Sequence, residues 1–98
     1  MKVYVKIHRR NGIEIIACCD ELLLNQVFCE GNLKIEISER FFGGDLMKIE
    51  EAIEILRNAT YFNVVGDNIV KMVIEHKILP KEGTRCINGI PMALKMMF

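Results

Sequence analysis

The sequence predicts an α+β domain of two layers, a mostly antiparallel sheet with helices on one face, in the order β-β-α-β-α-α-β-β. Three observations carry this. Val3, Val5 and Ile7 alternate with Lys2, Tyr4, Lys6 and His8, then meet Asn11-Gly12, a two-residue hairpin turn whose positions both need positive φ. Thr84 to Ile87, the turn Asn88-Gly89 and the segment from Pro91 to Met97 repeat that arrangement at the other end. Between the hairpins, Ile49, Ile53 and Leu56 and then Ile69, Val70 and Val73 form apolar stripes at helical spacing.

In chain order, the first hairpin returns from Ile13 to Cys19, with Val5 facing Cys18, Ile7 facing Ile16 and Arg9 facing Glu14 in a two-residue register. A one-residue bulge would exchange the faces of Cys18 and Cys19, and the sequence leaves both registers open. Asp20 caps a short helix to about Phe28, stopped by Gly31. Leu33, Ile35 and Ile37 read as a third strand. Asp45 caps a helix that carries Ile49 to Leu56, and Thr60 to Val65 is an extended connector. Gly66-Asp67-Asn68 opens the last helix, which Pro80 forbids from continuing. Pro91 belongs at a strand start or an edge.

With 98 residues, 51% hydrophobic and 27% charged, the chain has the composition of one folded domain, residues 1 to 98. No apolar run approaches the ~20 residues of a membrane-spanning helix. The alternating start lacks the apolar core of a secretory signal, so the expected location is the cytoplasm. There the cysteines, Cys18, Cys19, Cys29 and Cys86, are expected as free thiols. Their spacing offers no close pair for zinc, so neither metal nor cofactor is expected.

Net charge is zero, against wholesale electrostatic binding to nucleic acid, but the charge is unevenly distributed. Lys2, Lys6, Arg9 and Arg10 open the chain with no acid among them, the middle is acidic, and Arg85 and Lys95 return positive charge near the end. On one strand face, Lys2, Tyr4, Lys6, His8 and Arg10 put an aromatic ring in a basic row, a mixture that suits RNA bases and phosphates. Arg85 and Lys95 join that surface if the last hairpin lies beside it. The plainer alternative is a solvated strand whose lysines discourage edge pairing.

The stretch Phe41-Phe42-Gly43-Gly44-Asp45 suits two roles. Its amides form an anion-binding nest ahead of a helix, with Asn63 and Gly66 as further ligand groups, or the glycines simply let two apolar segments pack closely. Asp45 would repel an anion, and the glycine pattern of a phosphate loop is absent. Cys19 and His8 are the available nucleophile and base, although a catalytic cysteine also needs a lowered pKa and exposure.

Taken together, "GGDL", "EEAIEILRNAT", "NVVGDNIV" and "INGIPMAL" resemble a small archaeal family known only as a domain of unknown function, over essentially the whole chain. The resemblance implies an archaeal cytoplasmic setting and transfers no activity. Family members tend to have a histidine and an amide residue after the last proline, where this chain has Met92, Ala93 and Leu94.

These observations favour a non-catalytic binding or accessory module whose partner is RNA or a translation-related complex. A protein-interaction module, a homodimer through the methionine-rich end Met92, Met96, Met97 and Phe98, is the second alternative. A small enzyme or anion binder at Gly43-Gly44 is the third.

Overall fold

A computed structural model describes residues 1–96; Met97 and Phe98, expected above in a methionine-rich interaction surface, lie outside the described residues. The sheet is laid down by its two Asn-Gly turns. Asn11 (φ 52°) and Gly12 (φ 78°) join β1 (Lys2–Arg10) to β2 (Ile13–Asp20), and Asn88 (φ 51°) and Gly89 (φ 76°) join β7 (Thr84–Ile87) to β8 (Ile90–Lys95). The first hairpin takes the two-residue register, pairing Val5 with Cys18, Ile7 with Ile16 and Arg9 with Glu14.

The segment from Tyr61 to Val65 is a full strand, β6, at the centre of the sheet. It runs parallel to β2 and antiparallel to β8, giving the order β5-β1-β2-β6-β8-β7. The aromatic and β-branched side chains of Phe62, Val64 and Val65 are buried, Phe62 and Val64 under the helices and Val65 under the opposite layer, as suits a central strand. Pro91, second in β8, keeps to the start of its strand.

One face carries α2 (Ile49–Arg57) and α3 (Asp67–Glu75). Ile53, Leu56, Ile69 and Val73 from these helices bury against Val5, Cys18, Phe62 and Val64 of the sheet. The opposite face has its own, smaller cover, which the two-layer expectation did not include. A two-stranded hairpin, β3 (Val27–Glu30) with β4 (Leu33–Glu36), and the short helix α1 (Glu39–Phe42) lie over Ala17, Cys19 and Val65. Both Cys18 and Cys19 are therefore buried, one under each layer.

Two local differences from the sequence reading have clear causes. The helix expected from Asp20 to Phe28 is a short 3₁₀ turn, Glu21–Leu23, followed by β3. Asp20 still belongs to β2 and its carboxylate caps another helix, while Asn25 takes a left-handed φ of 71° that ends helical winding. Likewise Asp45 opens no helix. Asp45–Lys48 is β5, an edge strand antiparallel to β1, and the helix begins directly after it at Ile49.

Among the described residues, no helix is long and apolar enough to cross a membrane.

Candidate nucleic-acid interface

Alternation along β1 turns Lys2, Tyr4, Lys6, His8 and Arg10 to the face that carries α1, as the basic row requires. The row is partly occupied. Tyr4 is half-buried in the second core beside Cys19, so its ring is packing rather than an open stacking surface. Lys6 Nζ donates to the carbonyl of Arg40 at 2.6 Å, and His8 Nε2 donates to the carbonyl of Phe41 at 2.8 Å. The last carbonyls of a helix have no partners within it, and these two side chains supply donors. The His8 ring also stacks on Phe41, with centroids 4.7 Å apart and planes at 18°.

Helix α1 is placed by its own residues. Ser38 caps it, accepting from the Phe41 amide at 3.2 Å, and Phe42 is buried in the second core. The result is a shallow hollow of about 440 Å³ lined by Lys6, His8, Ser38, Arg40 and Phe41. Among the described residues no carboxylate lines it, and the Arg40 side chain is exposed. Arg10, also exposed, continues the row past His8 by roughly 7 Å, two residues of strand.

The other proposed contacts lie elsewhere. Lys2 is at the far end of β1, roughly 13 Å from Lys6, and pairs across the edge with Lys48. Arg85 is on the same sheet face but four strand spacings away, roughly 19 Å, because β2, β6 and β8 separate β1 from β7. Lys95 is on the opposite face, donating to the Ala59 carbonyl at 3.0 Å, with its Nζ 5.9 Å from the centre of the Phe62 ring. The last hairpin therefore does not extend the basic surface. Arg40 and Phe41, missed in the sequence, complete the hollow; the Arg-Phe-Phe run was their only local signal.

The glycine turn has its amides engaged. Gly43 N–H donates to the Glu39 carbonyl at 2.7 Å and Gly44 N–H to the Phe42 carbonyl at 2.9 Å, so the chain reverses tightly from α1 into β5. A Cβ on Gly44 would collide with the backbone of Val5 and come within 2.8 Å of Lys6 Cα. Close packing answers for these glycines, and their amides do not form an anion nest. Asn63 and Gly66 are not their neighbours: both belong to β6 and its end, with β2 and β1 between them and β5. Gly66 N–H donates to the Pro91 carbonyl at 2.9 Å.

At the start of α3, the place where an anion would sit is taken by Asp20. Its carboxylate accepts from the amides of Asn68 at 2.9 Å and Ile69 at 3.0 Å. Burial raises the pKa of this carboxyl above its ordinary 3.8, the two amide bonds lower it, and nearby Asp67 raises it again.

Cys19 and His8 share a face but do not meet. Cys19 pairs with Tyr4, and His8 lies four residues further along β1, roughly 13 Å away. Burial pushes the Cys19 thiol up to about 12, and burial also pushes the Cys18 thiol well above its ordinary range. Both are then fully protonated near neutrality, the opposite of an activated nucleophile. In a thiol-labelling time course on the native protein, exposed Cys29 and Cys86 should react quickly and Cys18 and Cys19 only after denaturant is added. Rapid native labelling of Cys19 would contradict this assignment.

Among curated proteins, none matches the sequence. A solved structure, the crystal structure of an uncharacterized conserved protein from Methanopyrus kandleri, superposes with a TM-score of 0.84 at 22% identity, covering 96% of this chain and 90% of that one. That likeness establishes the fold. The family model described as "Protein of unknown function (DUF424)" matches residues 8–97, and the chain belongs to that family.

Proposed function

We propose that this protein is a non-catalytic, cytoplasmic RNA-binding module that serves a translation-related complex. The observation that carries this is the acid-free hollow of Lys6, His8, Ser38, Arg40 and Phe41, continued by Arg10. Lysine and arginine there would meet phosphate oxygens, while the Ser38 hydroxyl and exposed ring edges add polar and stacking contacts. A protein of zero net charge binds RNA only where charge is concentrated, and helix α2 on the opposite face, with Glu50, Glu51 and Glu54, would repel the strand. Free thiols at exposed Cys29 and Cys86 suit a reducing cytoplasm.

A second reading has its own support: Leu94 and Met96 are 55% and 50% exposed near the chain end, an apolar surface fit for a protein partner or a second copy. Purification of the tagged protein from its native cells, with and without ribonuclease, separates the two. Recovery of RNA, or of protein partners lost on nuclease treatment, supports the RNA module. A nuclease-resistant protein partner with no RNA would transfer the function to the apolar end.

A further inference from the structure

Beside the cationic row lies a stretch of sheet that the second layer leaves open. The β3–β4 hairpin and α1 cover the end of this face that contains Tyr4, Cys19 and Val65. Toward the β1–β2 turn the cover stops: Ile13 and Ile15 are 48% and 36% exposed and Leu94 is 55% exposed, although a sheet interior usually hides such side chains. Strand register places them together. Tyr61 is the neighbour of Ile15 on one side of β2 and His8 the neighbour on the other, while Asn63 lies between Ala17 and Leu94. Tyr61 and Asn63 are both half-buried, with part of each side chain still open to solvent.

Building on the RNA-binding module proposed above, we infer that this open strip is a base platform that makes the protein selective for single-stranded RNA. From β1 to β6 is two strand spacings, roughly 10 Å, a span comparable to that between a nucleotide's phosphate and the far edge of its base. Phosphates held by Lys6, Arg10 and Arg40 would thus place bases over Tyr61, Ile15 and Leu94. The Tyr61 ring offers a stacking face, the isoleucine and leucine offer apolar contact, and the Asn63 carboxamide can both donate to and accept from a base edge. In a duplex the bases are stacked inside the helix and cannot reach such a surface.

Charge favours this occupant over a second copy of the chain. A two-fold dimer through the strip would bring the same cationic border into the interface from both subunits and bury Asn63 at its centre.

The test is fluorescence anisotropy with a labelled mixed-sequence 12-mer, single-stranded and as a duplex, against wild type, three platform variants and the Arg10→Glu, Arg40→Glu double variant. Tyr61→Leu keeps apolar bulk and removes the ring, Tyr61→Phe keeps the ring, and Leu94→Ser alters an exposed position with little consequence for folding. Wild type should prefer the single strand; Tyr61→Leu and Leu94→Ser should weaken that binding, Tyr61→Leu by about tenfold, while Tyr61→Phe stays near wild type. The salt dependence should not change in any of the three platform variants, because every cationic partner of the phosphates is kept. If Tyr61→Leu and Leu94→Ser bind the single strand as wild type does, while Arg10→Glu with Arg40→Glu abolishes binding, the platform is overturned and the phosphate surface stands. Equal wild-type affinity for duplex and single strand overturns it too. Absence of any RNA binding by wild type overturns the RNA module itself.

Discussion

Replacing Asp20 with alanine should destabilise the protein by about 2–4 kcal/mol, one of the two largest effects expected. The mechanism is local. Asp20 is the terminal residue of β2, and its carboxylate accepts the Asn68 and Ile69 amides across 48 and 49 residues of sequence, locking α3 onto the sheet. Alanine leaves both donors without their acceptor, one of them in a buried position. Gly66 belongs to the same lock: its φ of 128° is closed to side chains, and a Cβ would come within 2.5 Å of the Asp20 Oδ2 atom. Gly66→Ala should therefore cost about 3 kcal/mol from strain and collision. Denaturant midpoints of the two variants, compared with wild type, measure both effects.

Asp20 also links stability to pH. Its folded pKa lies above the ordinary 3.8, so between those two values the folded protein binds more of the proton than the unfolded chain does. Asp20's contribution is then full below the unfolded value and declines as pH rises through the folded one. Asp20→Asn, which cannot ionise, should remove that slope from a plot of unfolding free energy against pH. A variant curve parallel to wild type across the acid range would show that Asp20 does not titrate with folding.

The second large effect is on binding. Arg10→Glu with Arg40→Glu should weaken RNA affinity by at least about tenfold while leaving the stability within roughly 0.5 kcal/mol of wild type. These two arginines are exposed, and among the described residues neither side chain is in a salt bridge. Lys6 is a poorer choice for reversal. Its ammonium holds the Arg40 carbonyl, so Lys6→Glu would disturb α1 along with the charge.

How much of this was legible in the sequence follows from the range of the forces involved. Both Asn-Gly hairpins were readable because the turn residues themselves dictate positive φ, while the register of the first, which the sequence left open between two alternatives, is fixed only in the folded sheet. Helices α2 and α3 were readable because one-sided burial repeats with the helical period. Asp20 misled because its capping chemistry was recognised while its partner was not: a carboxylate can cap a helix distant in sequence as well as the next one. Cys18 and Cys19 could not be ranked from alternation because the sheet is covered on both sides, which leaves neither of them wet.

The basic row of β1 was legible as a period-two pattern, and the structure keeps Lys6, His8 and Arg10 on one face. What its pattern could not contain is tertiary. Arg40 and Phe41 reach the row only because Ser38 caps α1 and Phe42 anchors it in the second core. Arg85 leaves the row because three strands intervene between β1 and β7, and Lys95 because its place in β8 turns it to the opposite face of the sheet. Tyr61 carried no signal in the sequence beyond strand propensity, and Asn63 was assigned to the glycine turn, which lies elsewhere; both gain interest from the gap in the second layer above them.

The most direct test of the RNA-binding surface is the affinity of wild type and the Arg10→Glu, Arg40→Glu variant for a single-stranded RNA across a series of salt concentrations. Wild type should show log affinity falling linearly with log salt, and the variant a slope shallower by about 0.7 for each phosphate it no longer neutralises. Identical slopes and affinities for the two proteins would contradict the assignment of phosphate binding to the β1 face.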